Sequence, residues 1–469
     1  MIFESSAPST NLSPNDEWWT PRLARPVIAA AAVRLALLAV SLARIGSSGI
    51  MQADTASYLG PGRNLLHGVF AAEGVPELLR TPGYPLFLAL TSLAGLPAAA
   101  IANVILSVFS VIIVWRLGRA ASGNDRIALC AAWIFAFEPV SVIQSVGLMS
   151  DTLFLTIFLL SLERLAEFLR GYRLWVLAVA GLWLAMATFV RPVSYYLPVA
   201  LAVGLFVVLA RIPGLRWKAP AVLLMSTLPW LAAWQIRNKI ETGYGGFSSI
   251  TDANLYFYSA AGVTARIEGR PFLEVRRELG YLGGPGYLQR AYLYPEYLAL
   301  HPEQVGWSQG QRLAFMHSEA LRVIRAHYGT YLRMGVTSLC LSAFDPSAGN
   351  LDHLLIQGDR VDKSGLVDQG PVRWAIVLIE RYPWIAAEKM VFAAVVVGLY
   401  LFALRGVFRR GMNNSCVWLL LGVSIYFLAI AGAGGGPGAD ARYRLPITPV
   451  LCILAAAGAV RTKTISLKR

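Results

Sequence analysis

Long apolar runs separated by short basic loops set the rhythm of this chain. A helix needs about 20 mostly apolar residues to cross the hydrocarbon core of a bilayer. Runs of that kind fall near 26–45, 97–116, 126–143, 151–169, 174–190, 194–211, 219–236, 388–405, 415–433 and 444–461. They predict about ten spans. A further apolar stretch, Tyr328 to Phe344, is short and carries Arg333 near its start. It is expected to be re-entrant or interfacial, with an eleventh span as the alternative. Two connections, 46–96 and 237–387, are too long to be simple turns. In the second, Leu313, Phe315, Met316, Ala320, Leu321 and Ile324 follow Ser308 near helical spacing and predict an amphipathic helix. No inverted repeat of the transporter kind is evident.

Composition agrees. Of 469 residues, 56% are apolar and only 14% charged, which excludes an ordinary soluble enzyme and a disordered chain. Four cysteines (Cys130, Cys340, Cys416 and Cys452) are too few for a disulfide scaffold and form no C-x-x-C, so they read as small buried hydrophobes. Residues 1–25 are polar and no small-residue cleavage pattern follows the first apolar run, so that run reads as a retained span. The expected fold is an all-α polytopic membrane protein with two long extracytoplasmic loops bearing short helices.

The net charge of +14 has to be located before it is interpreted. Arg116, Arg119 and Arg126 flank one loop; Arg164, Arg170 and Arg173 flank another. Arg211, Arg216 and Lys218 fill a third, Arg405, Arg409 and Arg410 a fourth, and Arg461, Lys463, Lys468 and Arg469 close the chain. With ten spans all five clusters lie on the side of the N-terminus, which the positive-inside rule makes cytoplasmic. Much of the excess is therefore topology, and no nucleic-acid partner is expected. The chain divides into a cytoplasmic tail (1–25), a first transmembrane block (26–236) that includes loop 46–96, a long extracytoplasmic region (237–387), and a C-terminal block (388–469).

A second set of polar residues gathers at the opposite membrane face. Asp54 follows the first span. Arg80 lies in Arg80-Thr-Pro-Gly-Tyr-Pro85 and Asp151 in Ser150-Asp151-Thr-Leu-Phe154. Arg191-Pro192 ends the fifth span and Arg237-Asn238 the seventh. Arg442 and Arg444 precede the last, in Ala441-Arg-Tyr-Arg-Leu-Pro446. Ionisable groups at membrane depth are functional candidates by default. Arginine supplies fixed planar donors for a lipid phosphate. A carboxylate can take the proton of an attacking hydroxyl, and preplaced cations stabilise a departing phosphate.

Taken in order, Asp54-x-x-x-Tyr58, Arg80-x-Pro-Gly-Tyr-Pro85, Ser150-Asp151-Thr-Leu-Phe154, Arg191-Pro192, Arg237-Asn238 and Ala441-Arg-Tyr-Arg-Leu-Pro446 resemble the bacterial GT-C glycosyltransferases. These are relatives of the protein mannosyltransferases (glycosyltransferase family 39) and lipid A aminoarabinose transferases. The resemblance covers residues 26–461 and fades in the long loop. It implies a GT-C-type helix bundle in the bacterial cytoplasmic membrane, with an active site facing the periplasm or cell exterior. It implies inverting transfer of a sugar from a polyprenyl phosphate to a glycan, lipid or protein acceptor. Asp54 matches the expected catalytic base and Asp151 the second acidic position. Arg80 matches the donor-phosphate residue, which is typically Lys in the aminoarabinose enzymes. Those enzymes also carry an extra domain after the last span, so aminoarabinose is not the expected sugar. Arg191, Arg442 and Arg444 are further phosphate candidates. Tyr58, Tyr84, Arg237, Asn238, Asp252 and Asn254, with Tyr256, are substrate-contact candidates.

Plainer readings stand beside these. Asp54 and Asp151 each stand where a helix begins, where Asp is a favoured cap. Arg80, Arg191, Arg442 and Arg444 could snorkel to headgroups, and Arg237-Asn238 could only fix a loop. The second acid of the first loop is Glu73, a weak basis for a carboxylate pair. Ala431 to Gly438 reads as a flexible turn, since it lacks the Gly-Lys-Ser/Thr ending of a phosphate loop. His67, His301, His317, His327 and His353 form no zinc set; a divalent cation on Asp54, Asp151 or Glu73 stays open, and no other cofactor is expected. The rival functions are a transporter or flippase of an anionic or lipid-linked substrate, and a non-catalytic membrane partner.

Overall fold

The structure is a computed structural model that describes residues 19–281, 291–345, 347–356, 371–409, 412–434 and 440–460. The basic residues Arg410, Arg461, Lys463, Lys468 and Arg469, the 435–438 part of the expected turn, and the first 18 residues of the tail lie outside these. Each of the ten predicted spans coincides with helix. In chain order they are α1 (Ala24–Ile45), α2 (Leu96–Ser122), the pair α3 (Asp125–Phe137) and α4 (Pro139–Val146), α5 (Asp151–Gly171), α6 (Leu174–Val190), α7 (Leu197–Val208), α8 (Leu215–Thr242), α9 (Pro383–Val407), α10 (Asn414–Gly434) and α11 (Thr448–Ala459). Among the described residues, five helical runs are long and apolar enough to cross a membrane, and a sixth is if the bent pair α3–α4 counts as one span. The protein is thus an all-α, multi-pass membrane protein.

α5 differs from these helices for a physical reason. Its last two turns carry Glu163, Arg164, Glu167 and Arg170. Glu163 pairs with Arg116 of α2 at 2.6 Å and with Arg164 at 3.1 Å, so the charges are matched where the helix meets the basic end of the bundle. α5 is also buried along most of its length. By contrast α9 fully buries only Ala386, Val396, Ala403 and Gly406 among its described residues, the rest being half-buried or exposed. Gly406 of α9 and Gly458 of α11 face backbone across that seam, where a side chain at either would meet a main-chain carbonyl, Leu454 O or Phe402 O. Small residues allow helices to approach this closely without lipid between them.

The break between α3 and α4 bends the pair by 52°. Pro139 has no N–H to give to the preceding turn, so carbonyls are freed inside the bundle. Ser141 Oγ donates to Phe135 O at 3.1 Å. Arg34, in the middle of α1, donates from Nη1 to Ala136 O at 2.7 Å, from Nε to Ser107 Oγ at 2.8 Å, and from Nη2 to Ser141 Oγ at 3.1 Å.

The first loop folds into a helix over Thr55–Leu66, a two-residue hairpin pairing Ala71–Ala72 with Val75–Pro76, and a helix over Gly83–Thr91. The long loop has its own core of Ala253, Tyr256, Phe257, Tyr281, Tyr292, Tyr297, Leu313, Met316 and Ala320, into which Leu78 of the first loop inserts. The predicted amphipathic helix is present at Gln309–Ala326, closed by a Ser308/Gln311 capping box, and buries Leu313, Met316, Ala320 and Ile324. Phe315 and Leu321, expected on the same face, are only half-buried. Tyr328–Phe344 is a 17-residue helix. Its first turn reaches the end of α10, through Tyr331 Oη to Ala433 O at 2.8 Å. Its C-cap reaches the approach to α11, where Asp345 Oδ2 accepts from Ala441 N at 3.1 Å. Both its ends therefore touch the same end of the bundle.

Candidate active site

Chain segments from distant parts of the sequence converge at the end of the bundle opposite the basic loops. They enclose a cavity of about 370 Å³ lined by Asp54, Tyr58, Arg80, Asp151, Arg191 and Arg442, among others. That volume suits a small-molecule site.

Local structure explains how the first-loop motif reaches it. Glu77 Oε1 accepts the backbone N–H groups of Leu79 at 2.7 Å and Arg80 at 2.9 Å, folding the chain back before the motif. Gly83 then packs against the end of α6, where a Cβ would lie 2.7 Å from Phe189 O. This close approach places Arg80 beside the segment that carries Arg191. Ser248 Oγ donates to Leu79 O at 2.8 Å and Ser249 N to Leu78 O at 2.9 Å, so the long loop is stitched to the same turn.

Arg80 is buried, with 6% of its side chain exposed, and does not snorkel. Its Nε donates to Ser57 Oγ at 2.9 Å, its Nη1 to Tyr58 Oη at 3.1 Å, and the guanidinium stands 4.4 Å from the centre of the Tyr58 ring. Nη2 lies 2.9 Å from Asp54 Oδ1. The other oxygen of Asp54 accepts from Arg442 Nη1 at 3.2 Å. Asp54 does precede a helix, but its side chain makes no capping bond; both oxygens face arginines instead. Burial pushes the Asp54 carboxyl up, and Arg80 and Arg442 outweigh it, bringing the group down to about 2. Burial likewise works against the charge on Arg442, yet Asp440, Tyr443 and Asp54 hold its pKa well above the usual value.

Asp151 opens α5 and forms an ion pair with Arg191, the C-cap of α6. Its Oδ2 is buried with no hydrogen-bond partner among the described residues. Tyr58 Oη meets Ser150 Oγ at 3.1 Å, which ties the Asp54 helix to the start of α5.

The remaining candidates separate. Asn254 lines the cavity. Tyr84 is buried behind Tyr58, edge-on with centroids 4.9 Å apart. Arg237 donates to Glu77 O at 3.1 Å and Phe70 O at 3.0 Å and fastens the first loop; Asn238 donates to Gly246 O at 2.9 Å and fastens the long one. Asp252 accepts from Tyr244 Oη at 2.6 Å and faces His317 Nδ1 at 2.8 Å, away from the cavity wall. Tyr256 sits in the long-loop core, and Glu73 accepts from Tyr294 Oη at 2.9 Å.

Arg444 is the clearest departure from the sequence expectation. It is fully buried and absent from the cavity lining. Nη1 donates to Ala343 O at 2.6 Å and Asp345 O at 3.1 Å, and Nη2 stands 3.9 Å from Glu138 at the α3–α4 break. The 3₁₀ turn over Ala441–Ile447 sends Arg442 and Arg444 to different surroundings.

Sequence reasoning also missed residues. Ser57, Glu77, Tyr443 and Asp440 support or line the site, and their types carry no signal of their own. Arg34 did carry one, an arginine in mid-span. Among the described residues no group of three or more His, Cys, Asp or Glu could hold a metal ion. Asp54 and Asp151 each face a guanidinium, a poor fit to a hard cation that needs several oxygens.

No protein-family model matches the chain, and no curated protein matches it. Among solved structures it is similar to the oligosaccharyltransferase of Archaeoglobus fulgidus, at 14% identity over 94% of this chain and 50% of that one, with a TM-score of 0.47. It is similar to ArnT of Cupriavidus metallidurans, in a structure bound to undecaprenyl phosphate, at 13% identity over 92% of this chain and 76% of that one, with a TM-score of 0.38. It is also similar to the arabinosyltransferase EmbB of Mycobacterium smegmatis, at 13% identity over 91% of this chain and 41% of that one, with a TM-score of 0.32. The chain thus spans about half the length of the archaeal enzyme.

Proposed function

We propose that this protein is an integral-membrane glycosyltransferase that moves a sugar from a polyprenyl-phosphate donor to an extracytoplasmic acceptor. The observation that carries the reading is the meeting of Asp54 with Arg80 and Arg442 in one cavity. A base and two cations within one site are what displacement at a phosphate-bearing carbon requires.

In this reading an acceptor hydroxyl gives its proton to Asp54 as its oxygen bonds to the anomeric carbon. The bond from that carbon to the donor phosphate oxygen breaks, and its electron pair leaves with the phosphate. Arg80 and Arg442 take up the charge that develops there. A single displacement of this kind inverts the anomeric centre. Arg191 and Asp151 form the far wall as a matched pair. The loop charges support an orientation with the cavity facing outward from the cytoplasm, in a bacterial cytoplasmic membrane, and membrane lipids surround the bundle. No step is assigned to a metal ion.

The test is a transfer assay with purified protein in lipid and a panel of polyprenyl-phosphate sugars and hydroxyl acceptors. Release of the lipid phosphate with appearance of a glycosylated acceptor is the expected result, lost in Asp54→Asn and Arg80→Ala. A donor that crosses the bilayer intact, with no sugar released by any panel member, would show a carrier instead.

A further inference from the structure

Asp54 and the phosphate assigned to this cavity need the same two arginines. Arg80 offers one edge only, because Ser57 and Tyr58 hold its Nε and Nη1 and the Tyr58 ring lies against its face. The remaining edge, at Nη2, is on Asp54 Oδ1. Arg442 gives Nη1 to Asp54 Oδ2, while its Nε looks to Asp440 at 3.6 Å. The carboxylate therefore sits between two guanidinium groups, in the position an anionic phosphate oxygen would take to meet both. Planar guanidinium edges bind carboxylates and phosphates through the same geometry.

Resting on the transferase reading, we propose that Asp54 and the donor phosphate compete for Arg80 and Arg442, so that donor binding itself frees the base. Arg80 stays in place, held on its far side. Arg442 is the arginine that moves, being a quarter exposed against 6% for Arg80. When the phosphate takes Arg442, Asp54 loses one of its two cationic partners and turns an oxygen to the acceptor. The two arginines that lower its proton affinity otherwise make it a weak base, so the exchange strengthens the base only when a donor is present. No bond forms or breaks in the exchange; it swaps one anion for another at the guanidinium groups. A site of this design holds back proton transfer to Asp54 until the donor arrives.

The competition has a signature that a purely catalytic or structural Asp54 lacks. Removing its charge should tighten binding of the lipid phosphate while it abolishes transfer. The measurement is the affinity of the full chain, in lipid nanodiscs, for a short-chain polyprenyl monophosphate. Asp54→Asn is expected to bind about tenfold tighter than the native chain, in line with freeing charged hydrogen-bond donors. Asp54→Ser should change affinity in the same direction, which guards against a peculiarity of the amide. In an Arg442→Gln background the gain from Asp54→Asn should shrink to a few-fold or less, because one contested cation is already gone. Unchanged or weaker binding by folded Asp54→Asn and Asp54→Ser, in a protein that still transfers sugar when native, would overturn the competition and leave the transferase reading intact. If neither the native chain nor any variant binds the lipid phosphate, the transferase reading falls, and the competition with it.

Discussion

Two clusters in this bundle use the same residue types for different ends. At the cavity, Asp54 meets Arg80 and Arg442, and Asp151 meets Arg191. In the interior, Arg34 and Arg444 flank Glu138 at the broken helix. Arg191 and Arg442 keep 20% and 25% of their side chains exposed, whereas Arg34 and Arg444 are sealed. The interior arginines spend their donors on backbone carbonyls and serine hydroxyls: Ala136 O, Ser107 Oγ and Ser141 Oγ for Arg34, Ala343 O and Asp345 O for Arg444. The cavity arginines spend theirs largely on side chains, and carboxylates in particular. A carbonyl is a fixed acceptor that belongs to the fold. A carboxylate is a counter-ion that another anion can replace. The difference in partner, more than the difference in charge, separates architecture from chemistry here.

The largest expected effect is on turnover. Asp54→Asn should lower kcat by about 10²- to 10⁴-fold, the usual weight of a general base, while thermal unfolding in detergent stays near the native value. Conversely, Arg34→Leu and Glu138→Gln should cost stability first. Each leaves buried polar groups without partners, and a loss of about 3 kcal/mol is expected in denaturant unfolding. A stable Arg34→Leu with abolished transfer would break the division between the two clusters.

A smaller effect sharpens the comparison. Arg80→Lys keeps the charge but loses the planar edge on Asp54 and the contact with the Tyr58 face. KM for the donor should rise by about tenfold with a lesser change in kcat. Equal falls in kcat and kcat/KM would instead assign Arg80 to the transition state alone.

The pH dependence tests the arginine pair more finely. Burial raises the Asp54 carboxyl and Arg80 and Arg442 outweigh it, so its folded value of about 2 lies below the ordinary 3.8. The ionised form and the stability it contributes are present above pH about 4, and both are lost as pH falls toward 2. kcat/KM, which reports the free enzyme, should therefore show no acid limb from Asp54 between pH 8 and 5. An Asp54-dependent limb near pH 6 in kcat/KM would mean that the two arginines do not hold the carboxylate in solution.

Much of the bundle was legible because hydropathy reads the solvent directly. A bilayer demands long apolar runs, so every predicted span coincides with helix, and the Ser308 start of the amphipathic helix followed from capping chemistry. Asp54, Arg80, Asp151, Arg191 and Arg442 stood out as charges beside those runs. Their fates were less legible. Arg442 and Arg444 are two residues apart and look alike in sequence; a 3₁₀ turn separates the cavity from the interior. Arg237, Asn238 and Asp252 carried the same polar signal as the cavity residues, yet they fasten loops. Glu77 gave no signal, since its role is to accept two N–H groups of its own turn.

Spans, the basic end and the set of charged candidates at the opposite end follow from residue type and spacing alone, because burial in lipid and loop charge act on each segment locally. Which guanidinium faces Asp54, which supports a broken helix and which only ties loops together depends on contacts between residues as much as 388 positions apart. Local preference carries no information about such distant partners, so those assignments belong to the packed fold.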